Sequence, residues 1–175
     1  MPKNILQSAK NELRVLGIDP GTATTGWAIV VERNCEFIPL AYGHISTEKE
    51  KSDDERILEI SVDLKEIIDK YAPQEAAIEE LFFFKNKKTV IQVAQARGAI
   101  LLTLKQKGVK VCGYTPLQVK QALTGYGRAD KNQIQEMTKN IMKLAVLPKP
   151  DDTADALAIA LCHINSRKIN ALHCK

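Results

Sequence analysis

The chain has 175 residues, 45% apolar and 26% charged, with 25 Lys and Arg against 21 Asp and Glu for a net charge of +4. That length can bury a real core in one domain, and no apolar run approaches the ~20 residues of a membrane span. The mild basic excess permits a polyanionic partner without demanding one.

The polar start, from Met1 to Lys10, lacks the apolar stretch of a signal peptide. Cys35, Cys112, Cys162 and Cys174 show no framework spacing. Free thiols, a cytoplasmic location and no membrane partner are therefore expected. Residues 1–13 read as a polar extension, 14–166 as a single domain and 167–175 as a short tail.

Three strands open the domain, at about Val15–Asp19, Gly26–Glu32 and Glu36–Ile45. Their short connections predict antiparallel pairing. Ile57, Ile60, Leu64, Ile67 and Tyr71 then recur at helical spacing, and Pro73 follows the helix end. An apolar strand spans Ala76–Leu81. Thr89–Leu104 is helix-like and apolar nearly all round, which predicts burial on more than one side or a place in a subunit interface. Val109–Tyr114 is a further strand, and Pro116 begins a short helix at its favoured first position. The glycines of Thr124–Asp130 predict a loop. Helices follow over about Lys131–Leu144 and Asp152–Asn165, separated by Leu147-Pro148-Lys149-Pro150. Three meandering strands followed by alternating strands and helices predict an α/β domain with a mixed sheet.

Carboxylates stand where apolar elements begin or end. Asp19 closes the first strand, Glu79 and Glu80 lie in the fourth, and Asp152 and Asp155 open the last helix. Residues three apart on a helix share a face. If the three segments converge, the negative charges call for oxygen-preferring Mg²⁺ or Mn²⁺. Paired ions ~3.5–4 Å apart suit phosphodiester cleavage, one activating water and the other stabilising the leaving 3′-oxygen. Plainer readings exist. Asp152 and Asp155 fit an N-cap and a dipole-favoured first turn, the stronger reading for that pair alone. Asp19 alone fits a turn, and Glu79-Glu80 a solvated strand end.

Leu81-Phe82-Phe83-Phe84-Lys85-Asn86-Lys87-Lys88 sets aromatics beside cations directly after the second acidic position. Strand alternation would bury one or two of the Phe side chains. An exposed Phe there could stack on an unpaired base while lysines hold phosphates. Lys120, Arg128 and Lys131 add cations around a glycine loop that matches no phosphate-binding pattern. Cys162-His163 and His173-Cys174 have no recognised zinc spacing, so no zinc site is expected.

Leu16-Gly17-Ile18-Asp19-Pro20-Gly21, Ala77-Ile78-Glu79-Glu80, Gln95-Ala96-Arg97-Gly98, Val119-Lys120-Gln121 and Asp152-Thr153-Ala154-Asp155-Ala156-Leu157-Ala158, in that order, resemble the RuvC family of Holliday junction resolvases. The likeness runs from about Arg14 to Asn165. It implies a ribonuclease H-like fold, a five-stranded mixed sheet with helices on both faces. It also implies a homodimer that resolves four-way DNA junctions by paired symmetric nicks in recombination and repair. Four catalytic, metal-holding carboxylates match Asp19, Glu79, Asp152 and Asp155, with two Mg²⁺ ions per site, Mn²⁺ substituting. The resemblance selects Glu79 over Glu80. Lys120 and Lys131 match lysines near the scissile phosphate, and Phe82 matches a base-stacking aromatic. Lys85, Lys87, Lys88, Arg97 and Arg128 complete the expected DNA contacts. Thr89–Leu104 matches the dimer helix, and branch-migration motor proteins are further candidate partners. Asp151 adds another acid beside Asp152, and residues 1–13 extend beyond the usual start.

Three rivals share part of this pattern. A related nuclease would cut structured RNA rather than junction DNA. An ATP-binding phosphotransferase has a similar first loop but needs a duplicated domain, and nucleotide binding would reveal it. A non-catalytic junction binder has no use for four clustered acids near phosphate.

Overall fold

Side chains alternate between two cores along every central strand, as period-two geometry requires. The computed structural model describes residues 12–80 and 87–173, without the side chains of 87–89 and 168–173. β1 (Arg14–Asp19), β2 (Thr24–Arg33) and β3 (Glu36–Ser46) form the predicted antiparallel meander. β4 (Glu75–Glu79) joins β1 in parallel, and β5 (Lys110–Tyr114) joins β4 in parallel. The sheet order is β3-β2-β1-β4-β5.

Leu16, Ile18, Ile29 and Ile78 pack on one face against α1 (Asp53–Tyr71) and α2 (Lys87–Gln106). Val15, Ala28, Val30 and Ala77 pack on the other, against α3 (Pro116–Thr124), α4 (Lys131–Ile141) and α5 (Asp151–His173). The mixed sheet covered on both faces is the expected α/β architecture. Among the described residues no helix is long and apolar enough to cross a membrane.

Local signals set the helix ends. In α1 the Glu55 carboxylate accepts the Ser52 N–H at 2.8 Å, and Ala72 closes the helix in the left-handed region. Thr115 Oγ1 accepts the Gln118 N–H at 3.2 Å, Pro116 follows at the first helical position, and Gly125 ends α3 at φ 78°. Asp130 and Gln133 cap α4 reciprocally, at 2.9 and 3.0 Å.

Several expected boundaries move. β4 ends at Glu79, two residues before the predicted Leu81. Helix α4 stops at Ile141. Helix α5 begins one residue before Asp152 and continues past Asn165 to His173, beyond the domain boundary expected at 166. A buried anchor explains the extension: Arg167 Nε lies 2.9 Å from Glu75 Oε2. His163 also joins Glu75, Nε2 to Oε2 at 2.8 Å, and its Nδ1 lies 2.8 Å from the Tyr114 hydroxyl. Both ring nitrogens are thus engaged within the fold. Cys162 is buried beside it, while Cys174 and the His173 side chain lie outside the described residues.

Helix α2 is not buried all round. Ala96, Ile100 and Leu104 enter the core, but Ile91 and Leu102 are 66% and 60% exposed. Ala94 and Gly98 are also exposed, so one apolar and small-residue stripe faces outward.

Candidate active site

The carboxyl ends of β1 and β4 lie side by side, because the parallel register pairs Ile18 with Ile78. Asp19 and Glu79 follow by one residue on each strand, on the same side as Val15 and Ala77, toward α5. Glu80 turns the opposite way, its carboxylate lying over Gly113.

Two glycines bring α5 down onto this face. A Cβ at Gly26 would overlap the Asp152 carbonyl, and one at Gly17 would overlap the Ala156 carbonyl and lie 2.9 Å from Ala160 Cβ. Gly26 pairs with Asp19 across β1 and β2, so the start of α5 sits beside Asp19. Thr153, buried at 1% exposure, fastens the same turn through Oγ1 to the Gly43 carbonyl at 3.2 Å. The remote acids therefore meet because glycine permits backbone contact between helix and sheet.

Their mutual field is strong. Burial, then Glu79, Asp155 and Asp152, raise the Asp19 carboxyl well above the usual range, opposed by Lys131. Burial and then Asp155 push Glu79 up to about 7, again against Lys131. Burial raises Asp155, while Lys131 opposes and Asp152 and Asp151 add repulsion. Lys131 Nζ lies 3.3 Å from Asp155 Oδ2 and 3.1 Å from Asp151 Oδ2. Burial disfavours its charge, but these acids outweigh burial and hold its pKa above normal. Asp151, half exposed, thus pairs with Lys131 and, at 3.8 Å, with Lys149. Its carboxyl is lowered, first by the Lys131 hydrogen bond.

A cleft of about 210 Å³ opens here, lined by Glu79, Asp155, Lys120, Lys131 and the apolar Pro116, Val119, Ile134 and Ala158. Acids and lysines thus share one concave surface. Among the described residues no group of three or more His, Cys, Asp or Glu side chains is set close enough to hold a metal ion together. The all-oxygen set still fits hard divalent ions, which keep several waters and take only one or two carboxylates plus substrate phosphates. Burial first, and then mutual repulsion, raises three of these acids, and both are electrostatic costs that such ions would relieve.

The family model for crossover junction endodeoxyribonuclease RuvC matches residues 15–163. The chain belongs to the RuvC family. A crossover junction endodeoxyribonuclease RuvC from Caldicellulosiruptor saccharolyticus is 53% identical over 155 residues, covering 88% of this chain and 93% of that protein. The Thermus thermophilus RuvC structure superposes with a TM-score of 0.83 at 34% identity, covering 90% of this chain and 97% of that one. T. thermophilus RuvC in complex with Holliday junction substrate gives 0.80 at 32% identity, covering 90% and 96%.

Against the RuvC motifs, the fold gathers Asp19, Glu79, Asp152, Asp155 and Lys131, with Lys120 on the same cleft. Arg128 is exposed in the loop before α4. Arg97, grouped by sequence with the DNA contacts, directs its Nε–H to the Glu79 carbonyl at 3.0 Å. Phe82 and Lys85 lie outside the described residues, as do the side chains of Lys87 and Lys88, whose backbone opens α2. Sequence reasoning missed the Asp151–Lys131 pair and the role of Asp130 in placing Lys131. The Asp-x-x-Gln capping pattern at Asp130 and Gln133 was the available signal for the second.

Proposed function

We propose that this chain resolves four-way DNA junctions by hydrolysing one phosphodiester in each of two opposed strands, leaving 5′-phosphate and 3′-hydroxyl ends. One observation carries the reading: Asp19, Glu79, Asp152 and Asp155 converge from β1, β4 and α5, and Glu79 and Asp155 line a cleft that also presents Lys120 and Lys131.

The four carboxylates would hold two Mg²⁺ ions, with Mn²⁺ as a substitute. The chemistry such ions supply when bound is activation of the attacking water and stabilisation of the leaving 3′-oxygen. Asp19 and Glu79 stand at the ends of adjacent parallel strands, which sets the two carboxylates side by side. Lys131 restrains Asp155 and brings positive charge to the cleft edge, and Lys120 lies within the same cleft to meet a strand phosphate. Arg128 and the basic segment from Lys85 to Lys88 would hold more distant phosphates, and Phe82 would stack on an unpaired base.

Two symmetric nicks require two opposed sites. The exposed stripe of Ile91, Ala94, Gly98 and Leu102 on α2 supports an isologous dimer in which this helix packs on its own copy. Branch-migration motors remain candidate partners, and a cytoplasmic setting suits the reading.

The test is a synthetic mobile four-way junction incubated with the protein, with and without Mg²⁺. Paired nicks in opposite strands are expected only with the ion. Asp19→Asn should abolish cutting and spare junction binding. Cleavage confined to structured RNA, or wild-type cutting by Asp19→Asn, would overturn the proposal.

A further inference from the structure

One backbone hydrogen bond at the end of β4 is made by a side chain. Lys110 N–H donates to the Gln74 carbonyl, and Glu80 N–H to the Tyr114 carbonyl. The even-numbered residues of β4 therefore turn their backbone groups toward β5, and Glu75, Ala77 and Glu79 turn theirs toward β1. With Ile18 opposite Ile78, the parallel ladder would give the Glu79 carbonyl the N–H of residue 20. Residue 20 is proline and has no N–H. Arg97 Nε fills the vacancy, donating to Glu79 O at 3.0 Å.

Arg97 comes from α2, next to Ala96, which is fully buried against the sheet, with the exposed Gly98 beside it and the exposed Ala94 one turn before it. Glu79 is the last residue of its strand, so no further ladder bond toward β1 restrains it. Its carboxylate faces others, and repulsion tends to push that strand end outward.

We propose that Arg97 is a positioning residue: its guanidinium replaces the ladder donor that Pro20 lacks, fixes the backbone of Glu79, and ties the outward-facing helix α2 to the carboxylate cluster. This rests on the reading of Glu79 as a metal ligand. It acts on the peptide carbonyl, so the DNA-contact role is not its main one. Any rearrangement of α2 on dimer formation would reach the acidic site through this bond.

The experiment measures binding of Mn²⁺ alone by calorimetry, and junction affinity in EDTA, for Arg97→Met, Pro20→Ala, the double variant and Glu79→Gln. Arg97→Met should weaken Mn²⁺ binding by about 10–100-fold while junction affinity stays within about twofold. Pro20→Ala should bind Mn²⁺ as the wild type does. In the double variant the restored N–H at residue 20 takes the Glu79 carbonyl, and most of the Mn²⁺ affinity should return. If Arg97→Met fails to fold, folding of the double variant supports the proposal, and failure of both overturns it. Weakened junction binding with unchanged Mn²⁺ affinity would make Arg97 a DNA contact and overturn it. So would a double variant no better than Arg97→Met. Wild-type Mn²⁺ binding by Glu79→Gln would remove the metal-ligand reading itself, and the inference with it.

Discussion

Replacing Glu79 with Gln should stabilise the metal-free fold at alkaline pH while removing activity. The Glu79 carboxyl is raised from 4.5 to about 7 by burial and by Asp155, against Lys131. Between those values the folded protein keeps a proton that the unfolded chain has lost. Stability in EDTA therefore falls as pH rises through that window and stays low above it. The shift from 4.5 to about 7 corresponds to roughly 3 kcal/mol at pH 8. Gln is nearly isosteric with the protonated acid and carries no charge to lose. Near pH 4 the two proteins should unfold alike, and at pH 8 the variant should melt about 6–12 °C higher, at about 2–4 °C per kcal/mol for a chain of this length. Divalent ions should flatten the wild-type pH dependence, because they compensate the charge that the proton otherwise cancels. The assay is thermal unfolding by circular dichroism in EDTA from pH 4 to pH 8, repeated with Mg²⁺. A variant no more stable than wild type at pH 8, or with the same pH dependence, would refute the claim that Glu79 carries strained charge.

Gly26→Ala should cost about 1–3 kcal/mol and displace Asp152, because the added methyl would overlap the Asp152 carbonyl. Melting and junction cleavage check it, with cleavage falling more than binding. His163→Ala should destabilise by about 1–3 kcal/mol, since the buried Glu75 carboxylate loses one hydrogen bond while keeping Arg167. Its effect on cleavage by the folded fraction should be small: His163 lies eight residues beyond Asp155, roughly 12 Å along the helix. Leu102→Glu combined with Ile91→Glu should leave the subunit folded, because both side chains are more than half exposed. Sedimentation velocity should show the change from dimer to monomer. A persisting dimer would place the interface elsewhere.

Local pattern carried much of the architecture. The apolar runs of β1 and β2, and the helical spacing of Ile57, Ile60, Leu64, Ile67 and Tyr71 in α1, are written in single segments, and the elements they predict are present in the fold. Boundaries were less legible where distant partners set them. The helix α5 outran its expected end because Arg167 reaches Glu75 from another element. On α2, composition alone could not separate the face carrying Ile100 from the exposed face carrying Leu102, since both are apolar.

Sequence alone determined the element types, the order of the motifs, and the carboxylates at element ends. Those depend on residues near one another in the chain. The tertiary structure alone decided which neutral or charged group meets which acid: Gly17 and Gly26 let α5 lie directly on the sheet, Lys131 pairs with Asp155 and Asp151, and Arg97 serves the Glu79 carbonyl in place of Pro20. Such meetings depend on sheet register and helix–sheet distance, which arise only when the whole chain packs.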